Sequence, residues 1–185
     1  MSTNFKDFCE DWIYICERLD REQSDKYKRA REKGKEFKEI FSELLSHFVP
    51  NGYKILRQKK VEGVDHKFNF LFVKTSASEY GDLKPSNVMA VVDAKSHGFF
   101  GYSAIYEMKS TFETVKRKYP HIKLFYVTFR ETDTYDEKFR EVFGQMSQHY
   151  YRLSDSGDGV QMPPKRYFPN EWDRLIRDLS SLKTT

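Results

Sequence analysis

The sequence predicts one α/β domain built on a mixed β-sheet. Phe68, Phe70 and Phe72 alternate with their neighbours in the period-two pattern of a strand. Residues 88–129 have the pattern of a strand, a helix and a second buried strand, which is typical of a parallel βαβ crossover. The chain has 185 residues, enough for one sizeable core, and its 16% aromatic content favours a folded chain.

The N-terminal third predicts helices. Residues 4–18 carry apolar side chains at helical spacing, and a second such series runs from Phe37 to Phe48. The turn-forming residues 50–52 end that series. The stretch from Asp20 to Glu36 is highly charged, and we interpret it as a solvated helix face or a hinge. A contact surface for a nucleic-acid backbone is the alternative.

The middle of the chain predicts three consecutive strands joined by turns, which favours an antiparallel meander. A helix ended by Pro120 and a fourth, buried strand follow. The predicted strands are 53–61, 65–73, 88–96 and 122–129, and the predicted helix is 103–118.

The C-terminal part predicts further helices. Thr134 and Glu137 have capping-box spacing, and the apolar face of the helix that follows extends to Tyr150. Pro169 introduces a last helix. We therefore expect a single domain over 1–185, with an N-terminal helical extension (1–33), a core (34–130) and C-terminal helices (131–185).

Composition excludes several classes of protein. The net charge of +4 allows a phosphate-bearing partner without requiring one. Cys9 and Cys16 lie two helical turns apart, about 10 Å, which is too far for a disulfide. No Cys-x-x-Cys pair occurs and the histidines lack ligand spacing, which argues against zinc. No signal peptide and no apolar run near 18 residues are visible, so we expect a cytoplasmic protein without a membrane partner.

The candidate site begins at the end of the third predicted strand. Only Asp93-Ala94-Lys95 follows a run of small and apolar residues, although the acid-x-Lys pattern is common in this sequence. The pattern occurs six times, beginning at Glu36, Asp65, Asp82, Asp93, Glu107 and Asp136. Its position in the fold, and not the tripeptide itself, therefore carries the hypothesis.

A meander predicts that Asp65, at the start of the second strand, converges with Asp93. Two carboxylates and the backbone carbonyl of Ala94 would suit Mg²⁺, which prefers hard oxygen ligands. Lys95 lies on the same side of the strand as Asp93, where its ammonium would orient water and stabilise transition-state charge. An ordinary surface ion pair between Asp93 and Lys95 is the alternative.

Val64-Asp65 and Asp93-Ala94-Lys95 together resemble the PD-(D/E)xK nuclease superfamily over roughly residues 34–130. The resemblance implies a restriction-endonuclease-like fold, with a helix, a three-stranded meander, a crossover helix and a parallel strand. It implies Mg²⁺-dependent cleavage of DNA, with Mn²⁺ substituting, to 5′-phosphate and 3′-hydroxyl ends. Within the superfamily, residues 91–102 are similar to the cleavage domain of the type IIS restriction enzyme FokI.

One departure from the family pattern lies on the first core helix. Many members carry a glutamate there after a core aromatic residue, whereas Lys38 follows Phe37 in this chain. Glu36 is our first choice for an accessory metal ligand. Three further residues near the site are expected to contact DNA phosphates: Lys67, Ser96 and His97.

The resemblance also implies partners. Double-stranded DNA is the expected substrate, and one active site cuts one strand, so double-strand cleavage needs a homodimer or a second subunit. A larger sequence-recognising subunit, as in a restriction system, is one possibility. A structure-selective nuclease of the junction-resolvase type and a non-catalytic DNA-binding subunit are alternatives. An RNA substrate stays open because nothing in the sequence reports on the 2′-hydroxyl.

Overall fold

The computed structural model of the protein describes residues 4–96, 102–155 and 166–184. The strands are β1 Tyr53–Lys59, β2 Phe68–Lys74, β3 Val88–Lys95, β4 Lys123–Glu131 and β5 Tyr150–Asp155. The helices are α1 Phe5–Glu22, α2 Lys26–Ser46, α3 Tyr102–Lys118, α4 Asp133–Phe143 and α5 Pro169–Ser180. The strands form one mixed sheet in the order β1-β2-β3-β4-β5.

The sheet contains both predicted features. Strands β1, β2 and β3 are an antiparallel meander, in which Phe70 of β2 pairs with Val92 of β3. Val92 also pairs with Phe125 of β4, and this pairing is parallel because α3 provides the crossover. The carboxyl ends of β3, β4 and β5 therefore lie at one edge of the sheet.

Helices cover both faces of the sheet, which buries its apolar side chains in two cores. Helices α1, α2 and α5 pack on one face, where the rings of Trp12 and Phe37 lie 5.2 Å apart. Helices α3 and α4 pack on the other face, where Phe112 lies 5.8 Å from Phe143. The ring of Phe37 also lies 6.1 Å from that of Phe129 in β4, so α2 lies directly on the sheet.

Helix α2 crosses the boundary that we predicted between residues 33 and 34. It begins after Asp25, whose side chain accepts hydrogen bonds from the backbone N–H groups of Tyr27 and Lys28. The charged stretch from Asp20 to Glu36 therefore contains the end of α1, the connection at residues 23–25 and the first half of α2. It has a helix face with exposed charges, as predicted, and also a break between two helices. Since α1 contributes the buried Trp12, the N-terminal helices are part of the core and not an extension.

The C-terminal part differs from the prediction of helices alone, because it contains β5. Helix α4 is capped by Thr132, not Thr134, and it ends at Phe143 because Gly144 adopts φ 51°. Tyr150 packs in one core and Tyr151 in the other. A strand buried on both faces lacks polar alternation, so its apolar residues resembled the end of a helix.

Cys9 and Cys16 are both buried and are not joined by a disulfide, in agreement with their spacing. None of the described helices is both long and apolar enough to cross a membrane.

Candidate functional site

Strand β3 places Asp93 at the sheet edge with its side chain fully buried. Its Oδ2 atom lies 3.3 Å from Nε2 of His66 and 3.5 Å from Nζ of Lys95. The side chains of Asp93 and Lys95 leave the same side of the strand, as their spacing of two requires. The predicted pair therefore forms, and His66 joins it.

The other carboxylate oxygen of Asp93, Oδ1, is buried and has no hydrogen-bond partner among the residues that the structure describes. Buried polar atoms in native proteins nearly always have a partner, and an unpaired buried oxygen is costly. Asp93 thus presents one open acceptor beside two cationic or polar side chains. This is the arrangement of a ligand site, not of a saturated ion pair.

Asn69 of β2 fixes the end of β3. Its side-chain Oδ1 accepts a hydrogen bond of 2.9 Å from the backbone N–H of Ala94, and its exposed fraction is only 4%. Because Phe70 pairs with Val92, Asn69 stands next to Asp93 across the two strands. Asn69 therefore sets the position of Asp93 through the backbone.

We predicted that Asp65 starts β2. It lies instead in the loop before this strand, because β2 begins at Phe68. Its side chain is 94% exposed and accepts a hydrogen bond from Lys60, which lowers the pKa of Asp65. The residue that the structure brings to Asp93 from this loop is His66. The ring of His66 rests against Phe68, with 4.8 Å between the centroids.

Lys38 of α2 belongs to the electrostatic environment of the site. Its pKa is lowered by partial burial and then by the positive charge of Lys95, while the negative charge of Asp93 acts in the opposite direction. The helix position after Phe37 thus brings a cation toward Asp93, where many superfamily members carry an acid. Glu36 lies 3.9 Å from Arg18 instead, and its side chain is 36% exposed.

The other predicted site residues differ in their placement. Lys67 is exposed in the loop before β2, Ala94 is buried in β3, and Ser96 is nearly buried just after it. His97 lies outside the described residues. The structure therefore places Ala94 and Ser96 beside Asp93 along the chain, while Lys67 lies in the same loop as His66.

The donor atoms fit a divalent cation that takes few protein ligands. The open Oδ1 of Asp93 is a hard oxygen donor, as Mg²⁺ prefers. Within the described part of the chain, no three His, Cys, Asp or Glu side chains group closely enough to enclose an ion. That arrangement agrees with Mg²⁺, which is usually bound by one or two carboxylates together with water and substrate phosphates.

Sequence reasoning missed His66 and Asn69. Asn69 carried a usable signal, because it is a polar residue between Phe68 and Phe70 in a strand otherwise buried on both faces. A polar side chain buried in such a strand needs a partner, and Ala94 supplies it. His66 gave no such signal, because its contact depends on the path of the loop.

No protein-family model and no curated protein matches the chain. Solved structures do match it, among them two of NucC. The cAAA-bound form of NucC from P. aeruginosa ATCC27853 has a TM-score of 0.58 and 13% identity, over 97% of this chain and 89% of NucC. The cAAA-bound form of NucC from E. coli MS115-1 has a TM-score of 0.57 and 15% identity, over 97% of this chain and 88% of NucC.

At this level of identity the likeness concerns the fold. It confirms the mixed sheet flanked by helices that the sequence predicted, whereas the narrower likeness to the FokI cleavage domain finds no support in these matches. The chain therefore has the fold of NucC.

Proposed function

We propose that the protein is a Mg²⁺-dependent DNA endonuclease that hydrolyses phosphodiester bonds at Asp93. One observation carries the proposal: the buried Asp93 keeps one oxygen without a partner, beside Lys95, at the sheet edge of a nuclease fold. An open oxygen is not sufficient by itself, because Oδ1 of Asp136 on α4 is also buried without a partner among the described residues, beside Arg140. The position of Asp93 at the end of β3 completes the argument. Mn²⁺ is expected to substitute for Mg²⁺.

In this proposal Asp93 holds the cation through Oδ1, with the Ala94 carbonyl as a further oxygen donor. A bound Mg²⁺ supplies Lewis-acid chemistry, since it lowers the pKa of a nearby water and neutralises charge on the phosphate. Lys95 orients the attacking water and stabilises the negative charge that develops on the phosphate oxygens. His66 keeps the Asp93 carboxylate in one orientation through its contact of 3.3 Å to Oδ2.

Asp65 is proposed as the second carboxylate. It directly precedes His66 and is almost fully exposed, so its pair with Lys60 is of the weak, exchangeable kind. Glu36 is a weaker candidate for an accessory ligand because it faces Arg18. Lys67, Ser96 and His97 are proposed to contact the phosphates on either side of the cleaved bond.

Digestion of a supercoiled plasmid tests this function. We expect the wild-type protein to nick or linearise plasmid in millimolar Mg²⁺, and EDTA or Asp93→Ala to abolish cleavage. Identical behaviour of wild type and Asp93→Ala would overturn the catalytic proposal. Duplex binding without cleavage by the wild type under every condition would favour a non-catalytic DNA-binding subunit.

The choice of substrate decides between the remaining alternatives. Faster cleavage of branched than of linear duplex would favour a structure-selective nuclease, and faster cleavage of RNA would remove DNA as the substrate. A restriction-type enzyme would cut linear duplex. Double-strand breaks would additionally require a homodimer or a second subunit, which light scattering of the active species would detect.

We propose a small-molecule activator as a second, regulatory element. Both NucC structures that match 97% of this chain are cAAA-bound forms. Each plasmid reaction should therefore be run with and without cAAA. Cleavage that requires cAAA would support this element, and cleavage at the same rate without it would remove cAAA as an activator.

A further inference from the structure

We infer that one face of α2 is the surface along which the DNA backbone lies as it enters the candidate site. This surface consists of Lys28, Arg31, Lys35 and Lys38, and we call it the basic stripe. The inference rests on the proposed nuclease function, and it assigns a binding role to residues outside the reacting centre.

The basic stripe follows from the helical repeat. Its members are separated by three or four residues, so their side chains lie on one side of α2. From Lys28 to Lys38 the helix rises about 15 Å. The acidic residues of α2 have the same spacing and form a separate row: Glu32, Glu36, Glu39 and Glu43.

The basic residues of α2 divide into two groups by their contacts. Nε of Arg29 lies 3.2 Å and Nζ of Lys33 lies 2.7 Å from Oδ1 of Asp20, and these pairs join α2 to α1. No member of the basic stripe forms an ion pair with any residue in the described ranges. Arg29 and Lys33 therefore join the two helices, whereas the cations of the basic stripe are available to bind an anionic partner.

The acidic row of α2 is partly neutralised. Both guanidinium Nη atoms of Arg57 in β1 donate to the carboxylate of Glu39, at 2.6 and 2.9 Å. Arg18 of α1 lies 3.9 Å from Glu36. The net field on this side of α2 is consequently positive, and it would attract a polyanion.

The basic stripe leads to the candidate site. Its C-terminal member, Lys38, directly precedes Glu39, which Arg57 of β1 binds. Arg57 pairs with Phe70 of β2, and Phe70 pairs with Val92, the neighbour of Asp93 in β3, so this part of α2 lies level with the end of β3. The end of α2 at Ser46 lies near the opposite sheet edge, because β1 starts at Tyr53, which pairs with Lys74. The N-terminal half of α2 therefore extends beyond the edge that carries Asp93.

The dimensions suit a duplex. About 15 Å of B-DNA axis carries about four phosphates on each strand, the same number as the cations in the stripe. Tyr27 lies at the far end of the stripe with 86% of its surface exposed, where its hydroxyl is available to a phosphate. A backbone held along this line would arrive beside Lys38 and then Asp93.

The test measures binding of a labelled duplex oligonucleotide by fluorescence anisotropy over a range of NaCl concentrations, with EDTA present so that nothing is cut. The stripe variant is Lys28→Gln/Arg31→Gln/Lys35→Gln, which leaves Lys38 in place because it adjoins the site. The matched control is Lys74→Gln/Lys116→Gln/Lys183→Gln, which removes three exposed cations away from the Asp93 edge.

We expect the stripe variant to bind at least about tenfold more weakly than the control at about 100 mM NaCl. The slope of log K against log [NaCl] should fall by about two to three, which is roughly one for each phosphate that the variant no longer neutralises. Equal weakening in both variants, or in neither, would overturn the inference. Displacement of the duplex by polyglutamate as readily as by unlabelled duplex would overturn it too, since the stripe would then be a general anion site.

Failure of the stripe and failure of the nuclease proposal give different results. If the wild-type protein cleaves plasmid in Mg²⁺ but the stripe variant binds duplex as tightly as the control, the proposed DNA-binding role of the basic stripe is wrong. The nuclease proposal is then unaffected. If binding depends on the stripe but no plasmid is cut with or without cAAA, the surface stands and the catalytic role of Asp93 fails.

Discussion

Two buried aspartates at the same edge of the sheet differ in one respect. Asp93 lies near the end of β3, and Asp155 is the last residue of the parallel strand β5. Both oxygens of Asp155 have partners, because Arg166 donates its backbone N–H to Oδ1 at 3.0 Å and Nε–H to Oδ2 at 2.7 Å. Within the described ranges, Asp93 uses Oδ2 for its contacts with His66 and Lys95, and its Oδ1 has no hydrogen-bond partner.

The surroundings of Asp155 explain its role. Arg166 also donates to Asp133 at 2.7 Å, and Asp133 accepts a bond of 2.9 Å from the buried Arg152. These contacts tie the start of α4 to β5 and to the segment before α5. The comparison teaches that a buried acid at a strand end is not by itself a site. Asp93 differs from Asp155 by its open acceptor oxygen, and it differs from Asp136, whose Oδ1 is also open among the described residues, by its place at the end of β3.

The largest expected effect is on the rate of plasmid cleavage, which should fall when Asp93 is replaced but not when Asp155 is replaced. Asp93→Asn should reduce plasmid cleavage at least about 10³-fold, because it removes the charged oxygen that holds the metal. Asp155→Asn should cleave at the wild-type rate. Initial rates at saturating Mg²⁺ measure both, and equal losses would show that the open oxygen has no special role.

Lys95→Gln should lower the cleavage rate about 10²-fold, because the ammonium stabilises charge only in the transition state. The matched control is Lys109→Gln, which lies in another acid-x-Lys tripeptide but on α3, paired with Glu113 at 3.5 Å. Single-turnover rates should fall for Lys95→Gln and not for the control. A comparable fall in both rates would mean that the location of Lys95 on β3 gives it no special role in cleavage.

For stability the order of the two aspartates is reversed: the Asp155 variant should lose more unfolding free energy than the Asp93 variant. Asp155→Asn should reduce the free energy of unfolding by about 2 kcal/mol, because it weakens two charge-assisted hydrogen bonds to Arg166. Asp93→Asn should change it by less than about 1 kcal/mol, because removing the charge of a fully buried carboxylate offsets the weakening of its contacts with His66 and Lys95 at 3.3 and 3.5 Å. Urea denaturation measures both values. A larger destabilisation by Asp93→Asn would identify Asp93 as structural.

The smallest expected effect concerns Glu131, a third buried acid at this edge. Burial raises the pKa of Glu131 from 4.5 to about 8, against the hydrogen bond from the backbone N–H of Thr132. Between these two values the unfolded chain releases the proton and the folded chain keeps it. The contribution of Glu131 to stability is therefore full below about pH 4.5 and is lost as the pH rises to about 8.

Glu131→Gln should remove that dependence. At pH 5.5 the variant should exceed the wild type in unfolding free energy by on the order of 1–2 kcal/mol, the difference should grow up to about pH 8, and the two curves should converge below about pH 4.5. Denaturation at a series of pH values gives both curves. A constant difference across this range would show that Glu131 has an ordinary pKa in the folded protein.

Strands β1 to β4 were predictable because their patterns are local. The Phe68–Phe72 alternation identifies β2, and the apolar run before Asp93 identifies β3. Helix α3 is long enough to show a clear repeat, and it implies the parallel pairing. Strand β5 was not predictable in the same way, because its six residues are all buried and show no alternation.

The site was predictable where it depends on position along one strand. Asp93 and Lys95 share a side of β3 as their spacing requires, and they were identified correctly as neighbours. The role of the preceding loop was not predictable, because its path decides that His66 and not Asp65 contacts Asp93. Local patterns place strand residues well, whereas loop residues depend on tertiary packing.

The most direct test of the central claim is Mn²⁺-dependent thermal stabilisation of three proteins: wild type, Asp93→Asn and Asp155→Asn. A ligand that binds only the folded state raises the melting temperature as its concentration exceeds the dissociation constant. If the open oxygen of Asp93 holds the metal, Mn²⁺ should stabilise the wild type and Asp155→Asn but not Asp93→Asn. Equal stabilisation of all three would contradict the assignment of Asp93 as the metal ligand.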